Sequence, residues 1–174
     1  EECFLFQKLM RQMGSEKIEF RLRQSDFSLD GQIVPWLGMK VEEIGDLDRV
    51  LVIGSFLRQD VPLLAARFRK AAFAGAKIGM LHAVDDDWLM PVENRLVASP
   101  DEWLSILGEI ICVIAARKGL PVPDGFGGIA VSGRAEPFAV SLMEEGRKAL
   151  FLGSLALRHE KASHLHKAAE WIAD

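Results

Sequence analysis

Apolar residues fall into compact runs separated by charged and glycine-containing stretches, and the spacing inside each run predicts its element. The opening EECFLFQKLMRQMG places Phe4, Leu5, Leu9 and Met13 on one side of a helix over about 2–13, closed by Gly14. Residues 15–38 mix charge, Gly and Pro without a sustained period and read as a long connection, with a turn beginning at PWLGM. VEEIGDLD leads into VLVIG (50–54), a short β-branched run suited to a strand buried on both faces. A helix over 62–75 follows, with Pro62 fit for its first turn and Gly75 for its end. AKIGML (76–81) makes the next strand. Strand, helix and strand within about 32 residues form a βαβ unit, which predicts a parallel sheet and a right-handed crossover.

A polar loop over 82–100 separates this unit from a helix over 101–119, with Ser99 or Asp101 as its cap and Gly119 as its stop. After PVP comes a Gly-rich loop, DGFGGIAVSG, then a helix over about 135–146, an apolar run at 148–154, and a last helix over 161–173. VLVIGSFLRQDVPLLAARFRKAA and ALFLGSLALRHEKASHLHKAA share one plan: an apolar strand ending in Gly-Ser, a gap, and a helix containing Lys-Ala-Ala. They look like a weak internal duplication about 99 residues apart. The expectation is an α/β fold, Rossmann-like, with a doubly wound, mostly parallel sheet flanked by helices. It spans 1–174 as a single domain with two βα halves, about 46–82 and 125–174. Loops at the carboxyl ends of such strands face a common crevice. Gly54, Ser55, Gly153 and Ser154 are therefore the candidate binding turns, each a possible perch for a phosphate or pterin-phosphate. Neither turn matches G-x-G-x-x-G or G-x-x-x-x-G-K-[ST], and a strand ending in Gly is common in parallel α/β domains.

Composition narrows the classes. The chain has 174 residues, 49% of them hydrophobic, and a net charge of −4, which fits a globular fold with a real core and disfavours a nucleic-acid or anionic-membrane surface. Its most apolar run, 103–116, is broken by Glu109 and too short to span a bilayer. Cys3 and Cys112 lie far apart, with no spacing for a metal or redox site, and read as reduced, buried thiols of a cytoplasmic protein. The start looks like the middle of a helix, so the chain reads as an excised fragment of something longer. Arg58, Arg67, Arg69 and Lys70 bring positive charge near the first turn, with a solvated helix face as the simpler account. Asp85, Asp86 and Asp87 read as a solvated loop, because three adjacent carboxylates do not converge on a cation unaided. His159, His164 and His166 read as exposed helix histidines, His159 and His166 seven apart. No catalytic constellation stands out.

The order of motifs is nonetheless specific. EECFLFQKLMRQMG, RLRQSDF, PWLGM, VLVIGSFLRQDVPLLAARFRKAAFAGAKI and LFLGSLALRHEKASHLHKAAEWIA together resemble the G subunit of bacterial NADH-quinone oxidoreductase, respiratory complex I, over nearly the whole length. The resemblance falls in that subunit's molybdopterin-oxidoreductase-like region, downstream of its iron–sulfur part. It implies kinship with molybdenum enzymes whose Rossmann-like halves hold a pterin dinucleotide. Those enzymes tend to carry Asn, often with Pro, after the strand-ending Gly, where this chain has Ser55, Phe56 and Leu57. They also tend to close the next strand with Asp-Pro-Arg, where this chain has His82, Ala83, Val84 and Asp85. A bulky ring in place of a small polar group, and no Arg to bind phosphate in bidentate fashion, imply a site that has lost its cofactor.

The resemblance thus implies a structural, cofactor-less part of the peripheral-arm iron–sulfur subunit, in a complex that passes electrons from NADH to quinone. Its partners would be other peripheral-arm subunits, with no nucleic acid and no direct membrane insertion, on the cytoplasmic side of the bacterial inner membrane. Iron–sulfur clusters would sit elsewhere in the parent subunit, since two distant cysteines cannot hold one. The alternative is a pterin- or nucleotide-binding domain of a molybdopterin-type oxidoreductase. A third reading, the middle domain of a thiamine-dependent enzyme, fits the opening EECFLFQKLMR poorly.

Overall fold

The apolar run at 50–53 becomes the centre of the protein. In a computed structural model that describes residues 2–18, 26, 28 and 37–173, strand β1 (Arg49–Ile53) lies between β2 (Lys77–His82) and β4 (Lys148–Leu152). A further strand, β3 (Asn94–Val97), completes a four-stranded sheet in the order β3-β2-β1-β4, with every neighbouring pair parallel. Successive side chains of a strand point to opposite faces, so a run buried on both sides must be apolar throughout. Val50 and Val52 enter one core and Leu51 and Ile53 the other. Ile53 stands opposite both Leu81 and Leu152, which brings the carboxyl ends of β1, β2 and β4 level with one another.

Helices cover both faces. Helix α3 (Pro62–Phe73) lays Phe68 and Ala72 on Val50, Val52, Ile78 and Met80, and the 3-10 turn Val41–Asp46 adds Ile44 to that layer. On the opposite face α4 (Pro100–Lys118), α5 (Glu136–Met143) and α7 (Ala162–Ala173) bring Trp103, Ile106, Phe138 and Leu165 to Leu51, Ile53 and Leu81. Burying each such Leu, Ile, Val or Phe contributes about 1.5–3 kcal/mol, which fixes the two layers against the sheet. Helix α4 lies between α5 and α7 and is buried on most of its circumference, including Trp103, Ile106, Ile110 and Ile114. The expected α/β, Rossmann-like, doubly wound architecture is what the chain adopts, and its sheet is wholly parallel.

Several boundaries differ from expectation. The stretch 82–100 is not all loop: β3 runs along the sheet edge with Asn94 and Leu96 half-buried and Arg95 and Val97 facing out. A four-residue edge strand with one inward aliphatic side chain leaves little apolar signal. The gaps after the two Gly-Ser turns hold one-turn helices, α2 (Leu57–Asp60) and α6 (Ser154–Leu157), too short to show a period. The helix expected to 146 ends at Met143. Helix α1 (Glu2–Gln12) has no buried residue, and Leu5, Leu9, Met13 and Phe4 are all exposed. Leu5 and Leu9 stack four apart, with Met13 continuing that line past the helix end, whereas Phe4 sits about 100° round from Leu5. Much of the 15–38 connection, with Pro35 and Trp36 of PWLGM, lies outside the described residues. No helix among the described residues is long and apolar enough to cross a membrane.

Candidate functional site

In a sheet ordered β3-β2-β1-β4 the chain leaves β1 toward β2 and β3 on one side and returns as β4 on the other. The carboxyl ends of β1 and β4 therefore flank the point where an open parallel sheet usually receives its ligand. Gly54–Ser55 follows β1 and Gly153–Ser154 follows β4, so the strand order brings all four candidate residues together.

Three backbone N–H groups at the junction are already bonded to carbonyls of the chain. The Gly54 N–H donates to Leu81 O at 2.9 Å, the Gly153 N–H to Ile53 O at 2.8 Å, and the Leu155 N–H to Gly54 O at 3.0 Å. Gly54 takes a left-handed φ of 61°, and a Cβ there would stand 2.6 Å from the Trp103 ring and 2.9 Å from Ala156 N. A Cβ on Gly153 would stand 2.2 Å from Ser55 Cβ and 2.5 Å from Gly54 O. Both glycines are thus required by the close approach of the two turns and of α4 beneath them. Ser55 is buried in the contact. Asp60, at the end of α2, reaches back over it: its Oδ2 accepts the Phe56 N–H at 3.3 Å and also the Ser154 hydroxyl, linking the first turn to the second.

Beside this junction, the edge of the Phe56 ring meets the His82 imidazole at the end of β2, with centroids 4.6 Å apart. His82 is fully buried; its Nδ1 lies 3.1 Å from both the N and the O of Val84, and its Nε2 has no partner among the described residues. The loop that follows is more ordered than a solvated acidic run. Asp85 pairs with Arg95, Asp87 Oδ1 accepts the Leu89 N–H at 2.9 Å, and Asp86 Oδ2 is buried without a partner among the described residues. Arg58 and Arg69 are exposed, as expected of a solvated face, and also hold this loop, Arg58 through Asp87 O and Arg69 through Leu89 O. Arg67 and Lys70 are exposed.

The histidines do not form one group. His159 is buried between helices: its Nε2 lies 3.1 Å from Pro100 O, its Nδ1 accepts the Lys161 N–H at 2.9 Å, and its ring stacks on Trp103. It precedes α7 and so shares no helix face with His166, whereas His164 is exposed on that helix. Cys3 is exposed and Cys112 half-buried, against the expectation that both are buried. No group of three or more His, Cys, Asp or Glu side chains among the described residues is placed to hold a metal ion.

Residues without a sequence signal complete the surroundings. Glu109, which interrupts the apolar run of α4, is buried and accepts Ser132 N at 2.9 Å and Ser132 Oγ at 2.6 Å, anchoring the Gly-rich loop. Gly108 beside it leaves a notch for that loop, since a Cβ there would stand 2.4 Å from Ile129 and 2.9 Å from Phe126. A groove of about 680 Å³ runs between this loop and α7, with Leu104 and Phe126 in its floor and Asp101, Asp124, Lys161 and Lys167 along its walls. Near it, Asp26 accepts bonds from Ser28 and then Ser163, which hold its carboxyl well below the usual range. Arg134, followed by the Ser99 N–H, lowers Glu102 in the same way.

A wholly parallel sheet with glycine turns at its switch point, covered by helices on both faces, defines a Rossmann-like α/β domain. The family model for molybdopterin oxidoreductase matches residues 1–115, and the chain belongs to the molybdopterin oxidoreductase family. That match takes in α1 through β3 and most of α4, and so includes Gly54 and Ser55; Gly153 and Ser154 lie beyond it. None of the curated proteins matches the chain.

Proposed function

We propose that this chain is a cofactor-less, structural member of its family, serving in the peripheral-arm iron–sulfur subunit of an NADH:quinone oxidoreductase on the cytoplasmic side of a bacterial inner membrane. The observation that carries the cofactor-less part is the contact between Phe56 and His82. These are the positions where related molybdenum enzymes place a small polar residue and the start of Asp-Pro-Arg, and here they pack against each other. A pterin dinucleotide also brings phosphates, which need free N–H donors and positive charge. The Gly54, Gly153 and Leu155 N–H groups are already bonded to the Leu81, Ile53 and Gly54 carbonyls, and the Asp60 carboxylate stands at the junction. Residues so arranged do not fit the group.

Exposed apolar surface supports a packing role. Phe4, Leu5, Phe6, Leu9 and Met13 all lie open at α1, as do Leu63 and Phe73 on α3. Exposed apolar side chains on these helices are available for contact with other protein. In this reading the clusters that carry electrons lie elsewhere in the parent subunit, and this part supports them.

A second reading, retained pterin or nucleotide binding, has one observation in its favour: the buried Nε2 of His82 next to the turns, without a partner among the described residues. One experiment separates the two. The purified protein is studied by visible spectrum and metal analysis, then titrated with guanine and pterin nucleotides while its melting temperature is followed. The structural reading expects no colour, no metal and no shift, together with co-purification of the tagged protein with NADH:quinone oxidoreductase subunits. Stabilisation at micromolar nucleotide would refute it.

A further inference from the structure

We infer that the Asp60 carboxylate is a built-in anion for the paired turns, holding donors that would otherwise be open to an external oxyanion. The inference rests on the closed-turn reading above and assigns its cause to one side chain. Asp60 is exposed, yet its Oδ2 takes a backbone N–H from the first turn, at Phe56, and a hydroxyl from the second, at Ser154. The Ser154 hydroxyl comes from an element 94 residues away from Asp60 in sequence, joined to it at the switch point of the sheet.

Two neighbouring donors close on carbonyl oxygens, the Gly153 N–H on Ile53 O and the Leu155 N–H on Gly54 O. The Phe56 N–H and the Ser154 hydroxyl are the pair left pointing at a charged acceptor, and that acceptor comes from the chain itself. A carboxylate in this position does two things. It satisfies both donors with charge-assisted bonds, which are stronger than neutral ones. It also repels any phosphate or carboxylate approaching the same groups. Arg58, two residues earlier, does not offset this repulsion at the junction, because its guanidinium is turned to Asp87 O.

The test compares the unmodified protein with Asp60→Asn and Asp60→Ser, using inorganic pyrophosphate as the probe and sodium chloride of equal ionic strength as the control. The melting temperature of the unmodified protein should not respond to pyrophosphate beyond the chloride control. Those of the two variants should rise with its concentration, as binding to the folded state requires. A simple loss of a structural contact would lower the starting temperature without creating that dependence. Hydrogen exchange on the unmodified protein gives a readout independent of variant folding: the Phe56 amide should be protected. Variants indifferent to pyrophosphate, or a Phe56 amide exchanging as a free one, would overturn the role of Asp60 while leaving the closed turns intact. Stabilisation of the unmodified protein by pyrophosphate would overturn the closed-turn reading itself.

Discussion

Replacing Gly153 with Ala tests the contact between the two turns directly. The backbone of Gly153 has φ −82° and ψ −177°, which any residue adopts, so the substitution introduces no backbone strain. Its whole effect is steric. The new methyl would meet Ser55 Cβ at 2.2 Å, and Gly54 O and Ser55 Cα at 2.5 Å each. Overpacking of a well-filled site ordinarily costs about 1–3 kcal/mol, and contact with backbone, which cannot rotate away, puts this case at about 3 kcal/mol or above. For a chain of this size each kcal/mol lowers the melting temperature by about 2–4 °C, so the loss should be about 6–12 °C. Urea unfolding with an unchanged slope would give the free energy directly. Ser55→Gly in the same protein should restore only part, because the two backbone contacts remain. Gly45→Ala, with no described residue within 4 Å of its added methyl, serves as the control. A Gly153→Ala protein within about 0.5 kcal/mol of the original, the range typical of neutral surface changes, would mean that the turns do not touch and the crevice is open.

Other consequences follow from the same contacts. Glu109→Ala leaves Ser132 N and Oγ without their acceptor and should cost about 1–3 kcal/mol; hydrogen exchange should speed up over the Gly-rich loop 124–133 before it does in β1. Acid should destabilise the protein through Asp26 and Glu102. Both carboxyls are lowered in the folded state, so their stabilisation is present above their ordinary values of 3.8 and 4.5 and is lost as pH falls below them. Asp26→Asn and Glu102→Gln should each flatten the decline of melting temperature with falling pH, and an unchanged profile would count against these bonds. Cys3, exposed on α1, should react with a maleimide well before half-buried Cys112, as peptide mass mapping over time would show.

The sequence displays its architecture where burial is two-sided. VLVI, KIGML and ALFL are apolar at nearly every position because both faces of their strands are covered, and that is why three strands can be read without a partner in view. Strand β3 could not be read in the same way, since its outer positions are Arg95 and Val97 and its recognition depends on pairing with β2. The Gly-Ser turns are visible as turns, but their mutual contact is a property of strand order, which places residues 54 and 153 side by side. Burial of His159 is hidden for a like reason, its acceptor being Pro100 O, 59 residues away. Asp60 carries no local signal at all. An acidic residue ending one helical turn becomes specific only when Ser154 arrives from the other half.

The position of β4 bears on how the chain reaches this state. Strand β1 finds β2 nearby in sequence, but its other neighbour begins at Lys148, far along the chain. Until that segment is made, the central strand has one open row of hydrogen-bonding groups, and Leu51 and Ile53 lack the cover of α7. Contacts of such separation close late and slowly, and unpaired strand edges invite association during the wait. A ribosome-bound chain ending before β4 should therefore be the species most in need of a chaperone, and deletion of Lys148–Leu152 should yield an aggregating protein rather than a smaller stable one.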